Sequence, residues 1–68
     1  MYDYATGADG LLEGTDAARE LNEALALAGF LLPSLRGDLP VLGRGHVQLG
    51  GASTAVVGEL AAWIRDRA

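Results

Sequence analysis

The hydrophobic residues of this chain form two helical stripes, separated by a middle stretch with a different pattern. In residues 16–28 small and apolar residues recur at spacings of three and four, as they do on one face of an α-helix. They are Ala17, Ala18, Leu21, Ala24, Leu25 and Ala28. Charged and amide side chains occupy the opposite face. The pattern therefore predicts a first amphipathic helix.

The start of this helix is indicated by Thr15, a residue type that caps helix N-termini, and by the negative charge of Asp16 beside it. A start at Asp9 is opposed by Gly14, because glycine inside a helix costs up to about 1 kcal/mol relative to alanine. We therefore expect residues 1–13 to form a flexible acidic tail. The rest of the chain, residues 14–68, is then one small domain.

The end of the first helix is predicted at Gly29, which can adopt the left-handed conformation that closes many helices. In that arrangement Phe30 folds back on Leu25. The two residues would complete a Schellman-type stop.

The second helix is predicted to begin after Ser53, which is a favourable N-cap residue. Its apolar face consists of Val56, Val57, Leu60, Trp63 and Ile64. Arginines near its C-terminus suit the negative end of the helix dipole. Trp63 and Ile64 lie at the two borders of the stripe, so one of them is available for an interface.

The middle of the chain is predicted to be extended. Pro33 has no backbone donor, so the segment Leu32–Leu35 would be an edge strand. Arg36–Asp38 is expected to be a turn, because glycine and aspartate favour turns. In Gly45–Leu49 apolar and polar residues alternate, which predicts a strand with one buried face.

Together these elements predict an α+β fold of order α-β-β-α, with two helices packed on a short antiparallel sheet. Two strands alone are only marginally stable in water, so we expect dimerisation to complete the sheet. With 68 residues and no cysteine, the chain has neither a large core nor disulfides to compensate for it. A homodimer is therefore the expected state.

The charge distribution limits the classes of partner. Residues 1–23 have a net charge of −5 and residues 24–68 a net charge of +1. An acidic first third argues against nucleic acid as the partner, because binding to phosphates requires cationic side chains. No apolar run is long enough to cross a membrane, and the N-terminus does not resemble a secretory signal. We expect a cytoplasmic protein.

Candidate chemistry is sparse. His46 is the only histidine, and the alternation around it predicts a solvent-facing strand residue more readily than a general base. No spacing of acids and histidine suggests a metal site. We therefore expect no catalytic residue, no metal and no cofactor, and interpret the chain as a non-enzymatic protein.

An alternative is offered by Gly50, Gly51 and Ser53, which join the second strand to a helix N-terminus, where backbone N–H groups can bind an anion. The segment Leu49–Ser53 also resembles the modification motif of peptidyl and acyl carrier proteins. That resemblance implies a phosphopantetheine arm on Ser53, although Ala52 stands where the family often has an acidic residue. A plain turn followed by a helix cap is the other interpretation.

A second resemblance covers residues 16–68. A helix, then Leu-Pro-Ser-Leu at Leu32–Leu35, Val-x-Leu-Gly at Val47–Gly50 and an Ala-rich helix resembles short actinobacterial proteins of unknown function that accompany helix-turn-helix regulators. The resemblance implies a regulatory or adaptor protein whose partner is a transcriptional regulator. The interface we predict consists of Phe30, Leu31, Leu60, Trp63 and Ile64.

Overall fold

The computed structural model describes the backbone of residues 3–68 and the side chains of residues 9–68. The predicted α+β class and the order α-β-β-α are confirmed. The elements are helix α1, Asp3–Leu27; strand β1, Arg36–Val41; strand β2, Arg44–Gln48; and helix α2, Thr54–Arg67. The two strands form an antiparallel hairpin.

Helix α1 is longer than predicted. It begins at Asp3, so the expected start at Thr15 is wrong, and so is the expectation that residues 3–13 form a tail. The first two residues of that tail lie outside the described residues. The reason is tertiary packing: Gly10 and Gly14 are buried against the hairpin, and this close contact offsets the low helix propensity of glycine.

The contact between α1 and the hairpin is made at backbone distance. A Cβ on Gly14 would collide with the carbonyl oxygen of His46 in β2, and a Cβ on Gly37 in β1 would lie 2.8 Å from the backbone nitrogen of Thr15. Side chains larger than hydrogen therefore cannot occupy these positions without a shift of the helix. Glycines on both surfaces are what lets a helix lie directly on this small hairpin.

A hydrogen bond fixes α1 to β2 at the same place. The Glu13 carboxylate accepts the backbone N–H of Gly45, at 3.1 Å from Oε1 to nitrogen. The bond joins residues that are far apart in sequence. A side chain of α1 thus accepts a hydrogen bond from a backbone N–H of β2.

The predicted end of α1 is confirmed in detail. Gly29 has a φ of 88°, and its N–H donates to the carbonyl of Ala26 at 3.0 Å. The N–H of Phe30 donates to the carbonyl of Leu25 at 2.8 Å. These are the two hydrogen bonds of a Schellman motif.

The hairpin turn lies later in the chain than predicted. Arg36–Asp38, expected to be a turn, begins β1, and Leu32–Leu35, expected to be a strand, precedes it. The turn is made by Leu42 and Gly43, with φ values of 53° and 78°. Positive φ at both residues is typical of a two-residue hairpin turn, because it matches the twist of the two strands. Leucine is not among the residues that favour this conformation, so the sequence did not predict the turn here.

The hairpin also contains a bulge. The register pairs Asp38 with His46 and Val41 with Arg44, so Leu39 and Pro40 together stand opposite Gly45. Proline lacks a donor for the ladder, and a bulge is one of the places in a sheet where it is tolerated. Pro40 therefore fits within β1 without the strand ending there.

Helix α2 has the predicted N-cap. The Ser53 hydroxyl accepts the backbone N–H of Val56 at 3.2 Å. Whereas α1 covers the hairpin, α2 reaches the core near the C-terminal end of α1, through the half-buried Leu60. The packing of α2 thus depends on few side chains.

The core is small for the length of the chain. Its buried side chains are Ala18, Leu25 and Leu35, with Phe30, Leu32, Val47 and Leu60 packed partly buried around them. The molecule is elongated, with extents of 46 × 21 × 17 Å and a radius of gyration of 14.5 Å. A compact domain of this length would have a radius of gyration of about 11 Å.

Candidate functional site

The molecule has a large accessible surface, on which many large apolar side chains are exposed. Its accessible area is 5005 Å². A compact monomer of the same mass would expose about 4,000 Å². Large apolar side chains exposed by more than a third are Leu11, Leu12, Leu21, Leu27, Leu31, Leu39, Val41, Leu42, Leu49, Val57 and Ile64. So much apolar surface on a small chain favours interaction with another molecule.

The first apolar feature is a groove between the two helices, which we call the α1–α2 groove. Its volume is about 260 Å³. It is lined by Leu21, Ala24, Leu25, Ala28, Leu60, Trp63 and Ile64. The side chains of all seven are apolar apart from the indole N–H, so the groove suits an apolar occupant.

Helical spacing places both walls of the groove. Leu21 and Ala24 of α1 and Ala28, the residue that follows the helix, are spaced at intervals of three and four and share one face. On α2, Leu60 and Ile64 are one turn apart. The alanines keep the α1 wall shallow, so the groove is open to solvent along its length.

Trp63 is held at the edge of the groove by two contacts. Its ring meets Phe30 edge to face, with centroids 6.2 Å apart. The Arg67 guanidinium lies 3.9 Å from the centroid of the ring, at cation–π distance, and donates to the Trp63 carbonyl at 3.0 Å. These contacts hold the indole ring in place at the edge of the groove.

Next to the groove, α2 presents an apolar ridge whose two large side chains are about half exposed. We call Val57, Ala61 and Ile64 the α2 ridge, since they follow at intervals of four and three. Val57 is 52% exposed and Ile64 is 54% exposed. An amphipathic helix normally buries this stripe.

A second concavity, the linker pocket, lies where the α1–β1 linker passes the start of α2. Its volume is about 440 Å³. It is lined by Gly29, Phe30, Leu31, Pro33, Ala52, Ser53, Val56 and Glu59. It is the more polar of the two.

The predicted interface residues are distributed over both concavities. Leu60, Trp63 and Ile64 come together in the α1–α2 groove, whereas Phe30 and Leu31 line the linker pocket. The α1 wall was missed, because the pattern assigned Leu21, Ala24 and Ala28 to the core. Their helical stripe was recognisable, but the sequence did not reveal that α2 leaves part of it uncovered.

The Gly50–Ser53 segment has a structural role. Gly50 has a φ of 75°, and a Cβ there would collide with Ser34. Its N–H donates to Gln48 Oε1 at 3.4 Å. Ser53 is exposed, and its hydroxyl accepts a helix N–H as a cap. Turn and capping geometry therefore account for Gly50 and Ser53, while Gly51 has open space around it.

The hairpin tip is a third apolar feature, formed by Leu39, Val41 and Leu42. Leu42 is 96% exposed. His46 is exposed on β2, as predicted, opposite Asp38 in the register. Within the described part of the chain, no three acidic or histidine residues are grouped so that they could hold a metal ion.

No helix among the described residues is long and apolar enough to cross a membrane. Comparison of the chain with known protein families, curated proteins and solved structures found no match. The resemblances noted in the sequence therefore stay predictions.

Proposed function

We propose that this chain is a non-enzymatic regulatory or adaptor protein of the cytoplasm, which acts by binding another protein. The observation that supports the proposal is its large accessible surface, on which large apolar side chains are exposed. The chain exposes about 1,000 Å² more than a compact monomer of its mass. A standard protein interface buries about 800 Å² on each partner. The excess is thus of the size that one stable interface removes from water.

The distribution of this surface is also typical of a binding protein. The α1–α2 groove, the linker pocket and the hairpin tip lie on different parts of a molecule 46 Å long. A chain with several such surfaces can hold a second copy and a different protein at once. We propose both, with a transcriptional regulator as the partner that the actinobacterial resemblance implies.

Native and denaturing mass spectrometry of the untagged chain, expressed in its own host, tests the proposal. We expect an unmodified chain that is dimeric or bound to a second protein of defined mass. The variant Leu31→Asp places a charge on a side chain that is 68% exposed at the linker pocket, and should weaken the heteromeric complex if it forms there. Glu23→Gln is the control for an exposed residue elsewhere.

Two results would contradict the proposal. An unmodified monomer with no bound protein would contradict it, because the chain is proposed to act by binding another protein. A mass increase localised to Ser53 would instead indicate the alternative function, a carrier-like module using Gly50, Gly51 and Ser53. Denaturing spectra separate these results, because only a covalent group survives denaturation.

A further inference from the structure

We infer that the α1–α2 groove is a homodimer interface, in which the α2 ridge of each copy lies in the groove of the other. The inference rests on the proposed function and specifies one of its interfaces. Groove and ridge belong to the same chain and adjoin at Ile64. Two complementary features on one surface are what a two-fold symmetric dimer requires, because each copy then gives and receives the same contact.

The dimensions of the two features match. From Val57 to Ile64 the ridge covers eight residues, and from Leu21 to Ala28 the groove wall covers the same number. At the helical rise each is about 10 Å long. The small side chains of Ala24 and Ala28 allow a second helix to approach to the usual distance of about 8–10 Å between axes.

The charges beside the two features are complementary. On α1, Glu20 lies one turn before Ala24, at the border of the groove wall, and on α2, Arg65 follows Ile64 at the end of the ridge. Neither side chain forms an ion pair within the described residues, where Arg19 and Asp16 make the salt bridge that is present. A ridge seated in the partner's groove brings Arg65 towards Glu20.

The symmetry of the contact argues for a second copy as occupant. Both features expose large apolar side chains, Leu21 on the groove wall and Val57 and Ile64 on the ridge. In a two-fold dimer the contact is made twice, so both copies cover these side chains, and each α2 gains contacts that it lacks within its own chain.

Sedimentation velocity of Ile64→Glu against the wild-type chain tests the interface. Glutamate removes an apolar side chain from the ridge and places a charge opposite the acidic α1 of the partner. We expect the dimer dissociation constant to rise about 30-fold or more, as for a central interface residue. Leu42→Glu makes the same change at the hairpin tip, and should leave the dimer intact.

A charge exchange tests the orientation. Arg65→Glu should weaken the dimer, and so should Glu20→Arg. The double variant, which carries both changes, should recover much of the affinity. Both side chains are exposed, so the fold is expected to be retained, and far-UV circular dichroism checks this for each variant.

The outcomes separate this inference from the proposed function. A monomeric wild-type chain, or a dimer that Leu42→Glu disrupts and Ile64→Glu does not, overturns the interface. Either result leaves the proposed function standing if a heteromeric complex is still observed. If Ile64→Glu unfolds the chain, Ile64→Gln provides the same test with a neutral side chain.

Discussion

At the scale of single residues, Leu42 is the clearest conflict between sequence and backbone. It has a φ of 53° and is 96% exposed, so its side chain gains little from burial. A left-handed conformation costs an L-residue about 1–2 kcal/mol, and less for asparagine. We expect Leu42→Asn to raise the free energy of unfolding by about 1 kcal/mol, as measured by urea denaturation at fixed protein concentration.

The control for this prediction is Leu39→Asn. Leu39 is 73% exposed in the same hairpin, but its φ is not positive. Asparagine is unfavourable in strands, so this variant should be no more stable than wild type. Equal effects of the two substitutions would show that removing an exposed leucine, and not relieving the backbone, is what matters.

The cap of α2 gives the second prediction at this scale. Ser53→Ala removes the hydroxyl that accepts the Val56 N–H, and should lower the free energy of unfolding by about 1 kcal/mol. The neighbouring Thr54→Ala, at the first helical residue, is the control and should have a smaller effect. A larger loss for Thr54→Ala would contradict the assignment of Ser53 as the cap.

Single residues were predictable where their role is local. The Schellman stop at Gly29 and the cap at Ser53 depend on a few neighbouring residues, and both were predicted from the sequence. Leu42 was not, because its conformation is imposed by two strands that pair across it. The same limit hid the role of Gly50, whose missing side chain makes room for Ser34.

At the scale of elements, the contact of α1 with the hairpin depends on glycine. Gly14→Ala would place a Cβ on the carbonyl oxygen of His46, so the helix must move away from β2. We expect a loss of about 1–3 kcal/mol in the free energy of unfolding, as for overpacked cores. The measurement is denaturation monitored by circular dichroism.

Gly58→Ala is the matched control. Gly58 is an exposed residue of α2, and a Cβ there would meet no atom within 4 Å. Alanine should therefore stabilise the chain, by up to about 1 kcal/mol, through helix propensity alone. If Gly14→Ala also stabilised the chain, the close packing of α1 on the hairpin would be refuted.

The elements themselves were predictable in type and order, but not in extent. Periodicity identified both helices and β2. The first half of α1 was missed because glycine argues against a helix locally, while here it is required by a neighbour that is distant in sequence. The position of β1 was missed because Pro40 lies within it at a bulge, which the local pattern does not reveal.

At the scale of the whole molecule, a small core and an apolar interface were predicted from the sequence, but the groove between α1 and α2 was not. Length and the absence of cysteine predicted a small core, and three side chains are buried in it. The α2 side of the groove was within the predicted interface. The α1 side of the groove depends on how the two helices pack together. The packing of α2 rests on few side chains, and the apolar stripe of one helix alone does not predict it.

A dimer of such chains should unfold in a concentration-dependent way. When folding and association are coupled, each ten-fold rise in concentration adds about 1.4 kcal/mol to the stability of the dimer. With the unfolding entropy typical of globular proteins, this corresponds to a rise in melting temperature of about 5 °C. Differential scanning calorimetry of the wild-type chain over a range of concentrations measures the rise.

The same experiment on Ile64→Glu is the decisive comparison. The variant should melt at a lower temperature that no longer depends on concentration, because its unfolding involves one chain. A wild-type melting temperature independent of concentration would mean that the core of Ala18, Leu25 and Leu35 suffices without a partner. The exposed α2 ridge would then be free to bind a different protein, as the proposed function requires, because the small core leaves α2 with few contacts of its own.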